Sequence, residues 1–202
     1  GGDIYFDGVA PSTTGVDLSA LDIDSAGGAI SISGNGMNRG VAISDSQVQS
    51  SGGDINILGE DTFLRGVALE STNVSSGAGS LSIAGTSNPG VGTALIDASL
   101  DTGGGDLELT GKSFDGIGVA IYGSRIETDR GLVSLRAGNL GAHDAIVLEG
   151  STVTSSVGVT LSPMELTDEI LIGDASSGFA LSGAELAMFD APQLVIGNNL
   201  HA

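Results

Sequence analysis

The residues of this chain that could do chemistry are few, and they are scattered. His143 and Asp144 are neighbours in the segment GNLGAHDA, and such a pair can serve in acid–base catalysis or bind a metal ion. No third ligand and no nucleophile stands at a recognisable spacing from them, so we interpret the pair as solvated loop residues. His201, the other histidine, is next to the last residue and supports no site.

Three aspartates recur at one position of a repeated pattern, namely Asp3, Asp54 and Asp106. Clustered aspartates on one sheet, with a lysine or arginine and often calcium, can cleave acidic polysaccharides. Here they fall on alternate repeats with Ala29 and Ser80 between them, about 10 Å apart, which is too far to share one calcium ion. Acid–base pairs of glycosidases do reach about 6.5–9.5 Å. Because aspartate after a corner glycine is an ordinary turn residue, we predict no catalytic residue, no metal, no cofactor and no enzyme.

Four residues are candidates for binding a ligand. Arg39 and Arg65 each precede a glycine that opens a predicted strand, so they should stack on adjacent repeats. Two guanidinium groups there could bind a sulfate or a sialic acid carboxylate, but we favour a simpler role in offsetting carboxylates such as Asp61. Phe63 and Phe114 lie in variable loops, where their rings could stack on sugars, although we favour their capping the core from outside.

The elements that must position these residues are short strands of a repeat of about 26 residues. The unit reads G-x-[IL]-x-[IL]-x-G, a variable loop, then G-V-A-[IL]-x-x-S-x-[VIL]-x-[ST]. Its first apolar pair is Ile4/Phe6, Ile30/Ile32, Ile55/Ile57, Leu81/Ile83, Leu107/Leu109, Val133/Leu135 and Val159/Leu161. Its second pair is Val16/Leu18, Val41/Ile43, Val67/Leu69, Thr93/Leu95, Val119/Ile121 and Ile146/Leu148. A third apolar column is Ile23, Val48, Val74, Leu100, Ile126 and Val153. Spacing by two within each pair indicates strands with one buried face.

The repeat predicts an all-β fold. One unit cannot bury its apolar face alone, so the units should stack in register about 4.8 Å apart, with fixed glycines at the corners. We therefore predict a right-handed parallel β-helix (a solenoid) with about 26 residues and three short strands per coil. A column of hydroxyl residues follows the third strand and should lean inward as a ladder that satisfies a turn. Its members are Ser25, Ser50, Ser76, Thr102, Thr128 and Ser155.

The whole chain, residues 1–202, should form one domain. Residues 1–161 follow the repeat closely, whereas residues 162–202 predict divergent coils with longer excursions. Segments 161–173 and 181–197 share the pattern L-S-x-x-E-L followed by L-x-I-G, with a short helical turn expected near 184–189. No linker-like run rich in proline, serine or charge separates this part from the rest.

Composition excludes several classes of partner. Lys and Arg total 6 against 25 Asp and Glu, which gives a formal net charge of -19. Such a surface repels phosphate, so we expect neither nucleic acid nor anionic lipid as a partner. No apolar run approaches the roughly 18–20 residues that span a bilayer, so we expect no membrane insertion. With no Cys, the chain has no disulfide framework and no thiolate metal site.

The repeated GGDI-x-L-x-G and GVAI-x-x-S-x-V-x-S elements, followed by LSGAELAMFDAPQLVIG, resemble the filamentous haemagglutinin family. These are very large bacterial exoproteins exported by two-partner secretion. The resemblance covers the chain, lacks the family's NPNG-type secretion motif, and implies an interior piece of an extracellular shaft. It also implies an outer-membrane transporter for the parent protein, and a receptor or glycan on a host or neighbouring cell as a possible partner.

We therefore expect a structural, adhesive shaft segment of a secreted or cell-surface protein. The alternative is a carbohydrate-binding module that uses the loop edge near Arg39, Phe63 and Arg65. A polysaccharide lyase or hydrolase is the third choice. The first two are separated by whether the loop-edge side chains are exposed together or folded against the core.

Overall fold

A computed structural model of the chain describes residues 1–141, 143–165, 169–173 and 178–197. The first strands of the coils form an eight-stranded sheet, sheet 1. Its members in order are β1 (Ile4–Ala10), β4 (Ile30–Gly36), β7 (Ile55–Asp61), β10 (Leu81–Ser87), β13 (Leu107–Ser113), β16 (Leu132–Asn139), β19 (Gly158–Pro163) and β23 (Leu194–Ile196).

The second strands form the six-stranded sheet 2 and the third strands form the seven-stranded sheet 3. Sheet 2 contains β2 (Thr14–Ser19), β5 (Arg39–Ser44), β8 (Arg65–Glu70), β11 (Val91–Ile96), β14 (Val119–Tyr122) and β17 (Ile146–Glu149). Sheet 3 contains β3 (Asp22–Asp24), β6 (Gln47–Gln49), β9 (Asn73–Ser75), β12 (Ser99–Asp101), β15 (Arg125–Thr128), β18 (Thr152–Ser155) and β22 (Phe189–Asp190).

In sheets 1 to 3 the strand pairings are parallel and join equivalent positions of successive coils. In sheet 1, Ile30 pairs with Ile55, and Leu81 pairs with Leu107. The chain is thus a parallel β-solenoid with three strands per coil and roughly 26 residues per turn, as the repeat predicted.

The core is a column of aliphatic side chains that runs along the inside of the coil. The inward residues of β7 alternate with exposed ones, so that Ile55 and Ile57 are buried while Asn56 and Glu60 are not. Ile30, Val41 and others at the predicted positions have no exposed surface. Burying a side chain of this kind contributes roughly 1.5–3 kcal/mol relative to leaving it exposed.

Two columns of glycine are required by close approach of backbones. A Cβ on Gly79 would lie 2.2 Å from the carbonyl oxygen of Gly53 in the preceding coil. A Cβ on Gly59 would lie 2.0 Å from the carbonyl oxygen of Gly66 in the same coil. The second contact brings the backbones of sheets 1 and 2 close together. The loops that connect the two sheets lie beyond this contact and form the loop edge.

The corner between sheets 2 and 3 is made by left-handed residues, and most of them are not glycine. They are Ala20 (φ 54°), Asp45 (φ 49°), Ser71 (φ 49°), Asp97 (φ 50°), Gly123 (φ 57°) and Gly150 (φ 60°). Such a conformation costs a non-glycine residue about 1–2 kcal/mol. Hydrogen bonds between coils offset this cost, because the N–H of the corner residue donates to the next coil. Asp45 N donates to Glu70 O at 3.0 Å, and Ser71 N donates to Ile96 O at 2.9 Å.

The predicted hydroxyl column lies inside the coil and satisfies a turn, as expected. Ser76 Oγ donates to Gly79 O at 2.6 Å, and Thr128 Oγ1 donates to Gly131 O at 2.6 Å. A second buried hydroxyl column, which the sequence reading missed, follows the left-handed corner. Its members are Ser46, Thr72, Ser124 and Ser151. Each joins neighbouring coils; for example, Ser124 N donates to Ser151 Oγ at 3.1 Å.

The last part of the chain returns to the solenoid after its excursions. β23 pairs in register with β19, and β20 (Ile170–Ile172) pairs with β21 (Phe179–Leu181). The helical turn α1 (Gly183–Leu186) begins at Ser182 with a capping box to Glu185, slightly earlier than predicted. No helix in the described ranges is long and apolar enough to cross a membrane.

Candidate loop-edge site

The loop edge comprises the connections between sheets 1 and 2, which are 11–13, 37–38, 62–64, 88–90, 114–118 and 140–145, the last described without residue 142. A column of residues at the ends of the sheet 1 strands, the anchor column, faces these loops. It contains Gly36, Asp61, Ser87, Ser113 and Asn139. Each of these residues lies two positions after the end of the pattern G-x-[IL]-x-[IL]-x-G. The spacing from the glycine column is visible in the sequence and could have identified it.

Anchor residues hold loop backbones in different ways. The Oδ2 of Asp61 accepts N–H bonds from Phe63, at 2.7 Å, and from Leu64. Asn139 accepts from Gly141 N at 2.6 Å and donates to His143 O at 2.7 Å. Loops of different sequence are therefore fixed to one regular scaffold.

Ser113 anchors the loop of the preceding coil rather than its own. Its Oγ lies 3.1 Å from Pro89 O and 2.8 Å from Gly90 O. Carbonyl groups of the loop thus turn inward toward the anchor column.

Arg39 and Arg65 stack on adjacent coils as predicted, since they pair in the ladder between β5 and β8. The carboxylate that they share is Glu70, so the expectation that Asp61 would offset them is wrong. Arg39 Nη2 lies 3.7 Å from Glu70 Oε1, and Arg65 Nη1 contacts the same oxygen. Asp61 is instead turned into the loop edge, where it bonds to backbone. Half-exposed ion pairs of this kind contribute about 0–1 kcal/mol, but two cations on one carboxylate leave a local positive charge.

The two phenylalanines are half-exposed at the loop edge. Phe63 exposes 51% of its surface and Phe114 exposes 43%, and neither belongs to the core cluster. They are two coils apart, about 10 Å along the axis, so Phe63 lies on the coil of Arg65 and Phe114 does not. Lys112 Nζ lies 5.8 Å from the centroid of the Phe114 ring, within range of a cation–π contact.

The aspartates at the sheet 1 corner are used by the backbone. The Oδ1 of Asp3 accepts the N–H of Ala29 at 2.9 Å, and that of Asp54 accepts the N–H of Ser80 at 2.9 Å. Asp106 does the same with Leu132 N at 2.8 Å. Each carboxylate therefore bridges to the next coil, which is the turn role that the sequence favoured.

His143 and Asp144 lie at the far end of the loop edge. His143 is exposed, whereas the Oδ1 of Asp144 is shielded from solvent without a hydrogen-bond partner. Burial raises the pKa of Asp144, the Glu185 carboxylate raises it further, and His143 opposes both. In the described part of the chain, no group of three or more His, Cys, Asp or Glu could hold a metal ion. His201 lies outside the described residues.

No family model, curated protein or solved structure matches this chain.

The loop edge offers contact surface rather than reacting groups. Its exposed large apolar side chains lie on four of the six loops. They are Met37, Phe63, Leu64, Phe114 and Leu140. With Arg39 and Arg65 beside it, this surface can bind by stacking and ion pairing.

Proposed function

We propose that this chain is a structural segment of the shaft of a large secreted bacterial surface protein of the filamentous haemagglutinin type, and that it supports cell adhesion. The observation that best supports this is the use of repeated polar side chains. Inward hydroxyls such as Ser76 and corner carboxylates such as Asp54 bond to backbone of their own or the next coil. Because each coil satisfies these polar groups itself or with the next coil, the stack can be lengthened by adding coils, which is what a shaft requires.

The proposed location is outside the cell or on its surface. The parent protein would pass through an outer-membrane transporter, and it would meet a receptor or glycan on a host or neighbouring cell. A net charge of -19 on this segment repels neighbouring shafts of the same kind, so the fibres stay separate.

The location is tested with antibodies raised against this chain. Intact, unpermeabilised bacteria that express the parent gene should be labelled, and the antigen should also appear in the medium. Labelling only after permeabilisation would overturn the proposal. An antibody to a cytoplasmic protein of the same cells serves as the control for leakage.

A second candidate is a carbohydrate-binding module, and the half-exposed rings of Phe63 and Phe114 favour it. The purified chain is incubated with neutral, sialylated and sulfated glycans, with and without calcium, and mass spectrometry follows retained and cleaved species. Retention lost in Phe63→Ala or Arg65→Ala, but kept in Leu140→Ala, supports binding at this part of the loop edge. Cleavage of any glycan would refute both candidates and support an enzyme.

A further inference from the structure

Three buried side-chain oxygens at the loop edge lack hydrogen-bond partners among the described residues, and two of them, in Asp61 and Ser87, lie on neighbouring coils. Asp61 exposes 7% of its surface and Ser87 exposes none. The Oδ1 of Asp61 and the Oγ of Ser87 are shielded from solvent and bonded to nothing. Glu60 pairs with Thr86 in the ladder between β7 and β10, so the next residues along, Asp61 and Ser87, are neighbours in the anchor column. Their backbones are therefore about 5 Å apart.

Asp61 is a buried carboxylate that forms no ion pair with any described side chain. The ion pairs among the described residues use Glu70, Glu108, Glu127 and Glu165, and none includes Asp61. The loop N–H groups bond only to its Oδ2. Burying a charge without a counter-charge is strongly unfavourable, so the second oxygen requires an explanation.

The turn itself does not require a carboxylate at this position. The same column holds Gly36, Ser113 and Asn139 on other coils. Asn139 accepts a loop N–H with its neutral amide oxygen, as Asp61 does with Oδ2. An asparagine would thus make the turn without the cost of charge, so the charge of Asp61 points to a partner of opposite sign.

We propose that Asp61 Oδ1 and Ser87 Oγ bind a small hard cation of the Ca²⁺ type between the third and fourth coils. The remaining ligands would be loop carbonyls, which turn toward this column one coil further on, at Ser113. An all-oxygen set suits Ca²⁺ or Na⁺ rather than zinc or copper.

The burial of both oxygens also favours an ion over a water molecule. Neither oxygen is exposed to solvent. Oxygen–calcium distances of about 2.3–2.6 Å are shorter than the roughly 2.7–3.0 Å of a hydrogen bond to water. Because Asp61 also holds the turn of Phe63 and Leu64, the ion would stiffen the loop that carries the exposed ring.

The test measures metal content and stability on the full chain after treatment with a chelator. Elemental analysis after gel filtration in CaCl2 should give one calcium per chain. Thermal unfolding followed by circular dichroism should shift upward with CaCl2, with choline chloride holding the ionic strength constant. Asp61→Asn and Ser87→Ala should each weaken the response at least about tenfold, while Glu60→Gln on the opposite face of the same strand should keep it.

The outcomes separate the ion from its alternatives. A response to NaCl that Asp61→Asn abolishes supports the site with a monovalent ion. No response to either salt, with Asp61→Asn as stable as the unsubstituted chain, overturns the proposal, because the Ser87 hydroxyl then satisfies Asp61 directly. A response that survives in Asp61→Asn also overturns it and assigns the effect to diffuse surface charge. The result does not depend on the shaft proposal.

Discussion

Replacing Gly79 by alanine should destabilise the solenoid strongly, although the change adds only one methyl group. The new Cβ would lie 2.2 Å from the carbonyl oxygen of Gly53 and 2.5 Å from its carbonyl carbon. Ordinary contact begins at 3.4 Å, so relief requires the two coils to separate by about 1.2 Å at this corner. Both atoms of the clash are backbone, and no flexible side chain can yield instead.

The cost follows from the hydrogen bonds that such a shift would break. Ser80 N donates to Asp54 Oδ1 at 2.9 Å, and Ile55 N donates to Ser80 O at 2.9 Å. Lengthening these two bonds between coils by about 1.2 Å carries both beyond the roughly 3.2 Å limit for a protein hydrogen bond. At about 1 kcal/mol each, the free energy of unfolding should fall by about 2 kcal/mol.

The assay is urea unfolding followed by far-ultraviolet circular dichroism, with Gly104→Ala as the matched control. Gly104 lies in the equivalent turn of a neighbouring coil, and its added Cβ would meet only Ala78 Cα, at 3.7 Å. The control should change stability by no more than about 0.5 kcal/mol. If Gly79→Ala costs no more than Gly104→Ala, then the approach of the coils is not the reason for glycine at this column.

Two further predictions address the end of the solenoid and its modularity. Burial raises the pKa of Asp144, so its proton binds more tightly in the folded chain, and ionisation destabilises the fold as pH rises through the folded pKa. Asp144→Asn should therefore raise the melting temperature at pH 7 and lose this advantage below pH 3.8. Thermal unfolding from pH 3 to 7.5 measures this, and an equal gain at every pH would contradict it. Deleting residues 53–78, one complete repeat, should leave a cooperatively folded solenoid shorter by about 4.8 Å, whereas deleting 53–65 should abolish cooperative unfolding. Similar circular dichroism melts for the two deletions would show that the coil is not the unit of stability.

The solenoid was predictable because its apolar positions recur with little variation. Ile30, Ile55 and Leu81 are equivalent in the sequence pattern and are paired neighbours in sheet 1. The hydroxyl column was predictable for a similar reason, since a residue two beyond a buried one on a strand must lean the same way. Both predictions rest only on the spacing of residues in the repeat and not on which side chains contact one another.

Other features depend on interactions that periodicity does not encode. The corner before sheet 3 holds Ala20 and Ser71 in a left-handed conformation that these residue types rarely adopt. Aspartate tolerates it better, at Asp45 and Asp97, and the later Gly123 and Gly150 mark the position most clearly. The conformation is imposed by the ladder bonds of the next coil, a tertiary effect that outweighs residue preference.

The candidate site shows the same limit. The stacking of Arg39 and Arg65 could be predicted from the register of the repeats, but their ion-pair partner could not. Glu70 lies at the opposite end of strand β8, and the long arginine side chains reach it by running along the sheet. Asp61 is nearer in sequence to both loop and arginine, yet the strand turns it to the other side. Choosing between two carboxylates required knowledge of which face each one occupies.

The anchor column separates the stability of this fold from the variability of its loops. Because Asp61 and Asn139 hold their own loops and Ser113 holds the loop before it, loop tips can differ without disturbing the ladder. A charged residue in that column is unnecessary for this task, and it occurs at Asp61, beneath the loop that presents Phe63. Selection for a plain shaft would favour a neutral residue there. A cation bound at Asp61 would instead make the rigidity of the loop that carries Phe63 depend on the cations in the surrounding solution, while the coils on either side keep their stability without it.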